Sequence, residues 1–196
     1  MDPYDKLNSF DWFEKQLELH KPEEISAISL VDILNDKSEA SLIGAEIGVC
    51  FGWSTDLICR MVPNIKKIYA IDNYMSFTDW NGTRLTCERQ KLIREYAHNK
   101  LSIHAGKVDF RCISSKQFAS SINDKYLDFI FIDGDHSYAG VLQDLVMYWP
   151  KIKDGGIFAG HDALLPAVNR ALRDFFGPTM LDKILLCKNA VWCVNK

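Results

Sequence analysis

Ser41-Leu-Ile-Gly-Ala-Glu-Ile-Gly-Val-Cys-Phe-Gly-Trp-Ser-Thr55 is the stretch that decides how this chain is read. Ile43, Ala45 and Ile47 are apolar and compact enough for a packed strand. Gly48 and Gly52 let backbone approach backbone or ligand with no Cβ in the way. Ser54 and Thr55 are suited to open a helix running to about Met61, before Pro63 stops it. A strand, a glycine turn and a helix start make a site for a nucleotide-like ligand, because the turn offers free N–H groups and the helix dipole adds positive character. Glu46 narrows the ligand. It ends the strand two residues before Gly48, where a carboxylate repels phosphate and favours a cationic amine.

Outward from this unit the chain alternates strands and helices. Strands are expected at Lys67–Asp72, Val108–Ser114, Leu127–Asp133 and Gly155–His161, and helices at Arg84 to about His98, Lys116–Ile122, Val141–Trp149 and Pro166–Phe176. Such alternation specifies a doubly wound, mostly parallel α/β sheet of seven strands, Rossmann-like, with helices on both faces. The last segment, Lys183–Val194, reads as two strands joined at Lys188-Asn189. A parallel crossover needs many more residues than that joint provides, so these two form an antiparallel C-terminal hairpin. Residues 1–40 read as a helical cover, with Phe10, Trp12, Phe13, Leu17 and Leu19 on one helix. Pro22-Glu-Glu opens a second helix carrying Ile25, Ile28, Leu30, Val31 and Leu34. Together 1–40 and the core 41–196 are expected to form a single domain.

In doubly wound sheets the ligand lies beyond the carboxyl ends of the strands. Those ends hold Glu46 and Gly48, Asp72 and Asn73, Ser114 and Ser115, Asp133, and His161 and Asp162, all polar or glycine. Asp72 is placed to accept hydrogen bonds from ribose hydroxyls. Ser114 and Ser115 fall where an adenine edge would lie. Tyr74, Met75, Phe77 and Trp80 could line an acceptor pocket or simply pack. His20, His98 and His104 are expected on the solvated surface.

The pattern Glu46-x-Gly48-x-x-x-Gly52-x-Ser54 resembles the first motif of class I S-adenosylmethionine-dependent methyltransferases, with Cys50 at the place of the usual middle glycine. The terminal hairpin also resembles that fold. Asp133-Gly-Asp-His136-Ser-Tyr138, taken with Gly160-His161-Asp162, resembles the branch of small-molecule O-methyltransferases related to macrocin O-methyltransferases. The same frame is similar to catechol O-methyltransferase. The resemblance spans roughly residues 42–165 and implies S-adenosylmethionine as cofactor. The expected cofactor-binding set is Glu46, Gly48, Cys50, Gly52, Ser54, Asp72, Asn73, Ser114, Ser115 and Asp133. It also implies a divalent-metal position at Asp133, His161 and Asp162. His161 stands there in place of a carboxylate, which suits Mn²⁺, Fe²⁺ or Zn²⁺ better than Mg²⁺. Three readings of this set stay open: a metal that acidifies an acceptor hydroxyl, a metal-free base at His136 or His161, or a structural His161. The expected catalytic residues are Asp133, His136 and His161, acting on a hydroxylated small molecule such as a sugar, polyketide or phenol.

Composition bounds the alternatives. The net charge of −3, from 23 basic and 26 acidic residues, argues against a nucleic-acid partner. The Asn/Asp-Pro-Pro-Tyr/Phe string typical of base- and amide-methylating enzymes is absent. No apolar run reaches the roughly 20 residues of a membrane helix. The start, Met1-Asp-Pro-Tyr-Asp, lacks a signal peptide's apolar stretch. The six cysteines form no Cys-x-x-Cys pair and read as free thiols, so a cytoplasmic location is expected. Two other functions compete. A nicotinamide oxidoreductase fits Asp72, but the Gly-x-Gly-x-x-Gly turn is missing. A non-catalytic S-adenosylmethionine-binding protein fits the turn but not the acids at the strand ends. The aromatic N-terminal helix could also serve a homo-oligomer.

Overall fold

Apolar runs become the central strands of the sheet. The computed structural model describes residues 7–19, 27–36, 41–78, 82–181 and 183–196. Helices α1 (Ser9–Leu19) and α2 (Ile28–Asn35) precede β1 (Leu42–Ile47), α3 (Trp53–Met61) and β2 (Ile65–Ile71). Two short strands follow, β3 (Phe77–Thr78) and β4 (Arg84–Leu85), paired antiparallel. Next come α4 (Cys87–Leu101), β5 (Val108–Arg111), α5 (Ser115–Ser121), β6 (Leu127–Ile132), α6 (Tyr138–Tyr148) and β7 (Ile152–Gly160). The chain closes with α7 (Pro166–Leu181), β8 (Leu185–Leu186) and β9 (Trp192–Asn195).

The main sheet has seven strands in the order β5-β2-β1-β6-β7-β9-β8. The first five are mutually parallel, and β9 runs antiparallel to both β7 and β8. The doubly wound sheet and its terminal hairpin are therefore as expected. The hairpin joint at Lys188–Ala190 is a 3-10 turn. One face of the sheet packs against α5, α6 and α7 through Phe118, Leu145, Tyr148, Val168 and Phe176. The opposite face packs against α2 and α3 through Leu30, Leu34, Leu57 and Ile58. The strand order reverses at β1, which places a crevice at the carboxyl ends of β1 and β6.

Register levels those ends. Arg111, Ile71, Ile47, Ile132 and Gly160 pair in one row across five strands. The residues that follow, Asp72, Gly48, Asp133 and His161, thus leave the sheet side by side.

Several local expectations change. Helix α3 begins at Trp53 behind Gly52, and neither Ser54 nor Thr55 caps it. Helix α4 begins later than Arg84 because Thr86 caps it, accepting the Arg89 N–H, while Arg84-Leu85 joins the small strand pair. Strand β5 stops at Arg111, and Ser114 caps α5 with Gln117 completing a capping box. His104 is not a solvated surface group. Its Nε2 lies 2.8 Å from Asp56, which also pairs with Arg60 and Lys100. Burial raises the Asp56 carboxyl, but hydrogen bonds from His104 and Arg60 and the charge of Lys100 outweigh it and hold it below the usual range. Helix α1 packs on α4 and the glycine turn. His20, Pro22-Glu-Glu, Ile25 and Trp80 lie outside the described residues. Among the described residues no helix is long and apolar enough to cross a membrane, and all six cysteines are free thiols.

Candidate active site

The glycine turn is wedged between β2 and the turn after β6. Gly48 N–H donates to the Ile71 carbonyl at 2.9 Å, and Asp133 N–H donates to the Ile47 carbonyl at 2.8 Å. Gly48 has φ +91°, and a Cβ there would fall 2.1 Å from the Asp133 carbonyl oxygen. Only glycine fits such an approach. Cys50 also sits at positive φ, 48°. Asp72 holds this turn from the side. Its Oδ2 accepts the Cys50 N–H at 3.0 Å and its Oδ1 accepts the Tyr74 N–H at 2.8 Å. The Tyr74 hydroxyl donates back to the Cys50 carbonyl at 2.8 Å. Burial raises the Asp72 carboxyl despite these backbone donors. The backbone N–H groups of Val49 and Asn73 also bear on this carboxyl, so Asp72 braces the turn from several sides.

Glu46 is only 1% exposed, which excludes a solvated role. The Thr55 hydroxyl of α3 donates to its carboxyl. Burial, offset in part by Thr55 and reinforced by Asp133 and Asp72, raises the Glu46 pKa to about 8. Ser54 is buried in the first turn of α3. Asn73 is exposed and accepts the Met75 N–H at 3.0 Å. Tyr74 is buried against Phe110 and braces the turn, so it is not a pocket wall. Met75 and Phe77 are exposed at the rim. The Ser115 hydroxyl points inward and donates to Asp144.

The second half of the site gathers at the ends of β6 and β7. His136 Nε2 lies 2.7 Å from Asp162 Oδ2 and 3.6 Å from Asp133 Oδ1. His161 Nδ1 lies 3.2 Å from Asp162 and 3.5 Å from Asp133. Trp192 Nε1 donates to the His161 carbonyl at 3.1 Å, tying this loop to β9. Burial would lower the His161 pKa, but hydrogen bonds and charge from Asp133 and Asp162 raise it to about 10. Burial raises Asp133 and Asp162, yet the two imidazoles outweigh it and lower both.

A ligand atom from each of Asp133, His136 and Asp162 lies within 4.8 Å of the others, a separation that suits a divalent cation. The expected set was Asp133, His161 and Asp162. The structure adds His136 to the two carboxylates, and His161 Nδ1 also stays within 3.5 Å of both. Asp-Gly-Asp-His carries His136 three residues beyond Asp133, so the turn after β6 folds it back over the carboxylate. Thr55, Tyr74 and Asp144 contribute to the site without a spacing signal that marks them.

A family profile described as a methyltransferase domain matches residues 45–163, from β1 through the His161-Asp162 turn. The chain belongs to the methyltransferase-domain family. The fold of this methyltransferase implies S-adenosylmethionine as methyl donor. Its solved structural neighbours include the O-methyltransferase NovP, at 16% identity and TM-score 0.62, covering 84% of this chain and 75% of that one. An S-adenosylmethionine-dependent O-methyltransferase from Thermotoga maritima matches at 14% identity and TM-score 0.55, covering 82% of this chain and 53% of that one. A precorrin-6y C5,15-methyltransferase from Geobacter metallireducens matches at 15% identity and TM-score 0.52, covering 76% of this chain and 68% of that one. At these identities the likeness is one of fold. No curated protein matches the methyltransferase by sequence.

Proposed function

We propose that this methyltransferase moves the methyl group of S-adenosylmethionine to a hydroxyl of a small molecule. The observation that carries this reading is the convergence of Asp133, His136, His161 and Asp162 beside the glycine turn, at the level of one strand row. The sulfonium methyl is already activated, so the protein's task is in-line placement and removal of the hydroxyl proton. Asp72 and the turn around Gly48 hold the nucleoside. Glu46 shapes the turn from beneath through Thr55. His136 and His161 both pair with the two carboxylates, so the hydroxyl proton passes to this imidazole–carboxylate cluster. Asp133, His136 and Asp162 would hold a divalent cation, which when bound lowers the pKa of a coordinated hydroxyl. A hydroxyl acceptor suits a site built to remove a proton, and the acidic net charge suits a small molecule better than nucleic acid.

Thermal unfolding with S-adenosylhomocysteine, against NAD⁺ as control, tests the cofactor assignment. At 100 times its dissociation constant a ligand raises stability by about 2.7 kcal/mol. A shift with NAD⁺ alone overturns it. Once an acceptor is found, Asp133→Asn should lower kcat by about 100-fold or more while S-adenosylhomocysteine still binds. Unchanged turnover would remove Asp133 from the chemistry.

A further inference from the structure

Asp144 has no part in the methyl transfer proposed above. It sits in the second turn of α6 and is 5% exposed. Its Oδ1 accepts the hydroxyl proton of Ser115, the first residue of α5. The Tyr148 hydroxyl, one turn further along α6, donates to the Ser115 carbonyl at 2.7 Å. The charged group that bears on Asp144 is another acid, Asp135, whose Oδ1 accepts the Ser137 N–H at 2.8 Å. Burying a carboxylate beside a second carboxylate is costly unless the charge has a task. Burial, only partly offset by Ser115, raises the Asp144 pKa to about 6, so the group is still ionised at neutral pH.

The task follows from proton direction. An ionised carboxylate only accepts, so it fixes the Ser115 proton inward. The lone pairs of Ser115 are then what this half-buried hydroxyl presents to a ligand. Ser115 stands four residues beyond Arg111, which pairs with Ile71 immediately before Asp72. A nucleoside whose ribose meets Asp72 therefore sets its base toward Ser115, between the first turns of α5 and α6. We propose that Asp144 is a positioning residue that orients the Ser115 hydroxyl as an acceptor, selecting a purine that presents an amino donor at its six-position over a six-oxo purine. This deepens the cofactor assignment above and rests on it.

Titration calorimetry with S-adenosylhomocysteine and with S-inosylhomocysteine, its six-oxo analogue, tests the proposal at pH 7.5. The wild type should favour the adenine ligand by about tenfold, the worth of one hydrogen bond. Asp144→Asn can donate its amide to Ser115 and turn the hydroxyl proton outward, so the preference should fall to unity or reverse. Ser115→Ala, which removes the acceptor along with the donor to Asp144, should also erase the preference. A wild type without preference, or variants that keep the wild-type ratio, would overturn the proposal while leaving the cofactor assignment standing. A wild type that binds neither ligand would overturn both. A merely structural Asp144 would weaken both ligands equally.

Discussion

Gly48 is where backbone geometry leaves least freedom. A side chain there would strike a carbonyl oxygen held in the β1–β6 ladder, at a backbone angle costly for L-residues. A flexible neighbour could swing away, whereas this one is main chain. Gly48→Ala should therefore destabilise the protein by at least about 2 kcal/mol, roughly 4–8 °C for a chain of this size. It should also abolish S-adenosylhomocysteine binding. Thermal unfolding and calorimetry read both, and an alanine variant of wild-type stability and affinity would contradict the wedge. The positions of such residues were legible in the sequence because each strand end is marked by a change from apolar to polar or glycine. Their partners were not. Glu46 reads as a ligand contact from its place, but its carboxyl turns toward Thr55 nine residues later. Ser114 reads as an adenine contact, and its role as the cap of α5 was not read from the sequence. His136 and His161 were both visible, but that both converge on Asp133 and Asp162 depends on how two loops fold back. Side-chain direction at a turn depends on three-dimensional neighbours that spacing does not encode.

Among the elements, α1 has the most specific attachment. Arg89 on α4 is 3% exposed and stacks over Trp12 at 4.5 Å. Its Nη1 donates to the Arg84 carbonyl at 2.8 Å and its Nη2 to the Leu7 carbonyl at 3.4 Å. One guanidinium thus joins α1, α4 and the β3–β4 pair. Phe13 of α1 stacks on Phe51 at 5.8 Å, and Phe51 stacks on Trp53 at 4.4 Å, so the helix reaches the glycine turn itself. Arg89→Ala should release α1, at a cost of about 2–4 kcal/mol for a buried, hydrogen-bonded arginine and its stacking. Hydrogen exchange should rise across residues 9–19 and stay unchanged in β1 and β6. Arg89→Lys should not restore protection, because an ammonium lacks the planar fork. Protection unaltered in the alanine variant would show that Phe13 and Leu17 hold the helix alone. The helical spacing of Trp12, Phe13 and Leu17 was readable. Its docking site was not, because a buried arginine within Cys87–Leu101 gives no signal in a helix whose sequence is mostly polar. The parallel strands gave the clearest signal of all, since burial on both faces makes them nearly continuous apolar runs.

For the molecule as a whole, the buried acid and the protonated imidazole make stability depend on pH in one direction. Glu46 has a folded pKa of about 8 against an ordinary 4.5, so the folded state holds a proton that the unfolded state releases above pH 4.5. Its contribution therefore falls as pH rises from 4.5 to 8, at about 1.4 kcal/mol per pH unit. His161 has a folded pKa of about 10 against 6.5. Its pairing with Asp133 and Asp162 is fully present below pH 6.5 and is lost as pH rises through 10. The two windows overlap between pH 6.5 and 8, where the ligand-free protein should lose stability most steeply. Asp133 and Asp162, both lowered from 3.8, act at the other end, where their contribution is lost as pH falls below that value. Glu46→Gln separates the two alkaline terms, because glutamine imitates the protonated acid beside Thr55 and does not titrate. Urea unfolding of both proteins from pH 5 to 9 should show the wild type losing ground to the glutamine variant until about pH 8, with a constant difference above it. A difference independent of pH across that range would mean that Glu46 is ionised in the folded protein, and that the turn around Gly48 rests on a carboxylate rather than on a neutral acid.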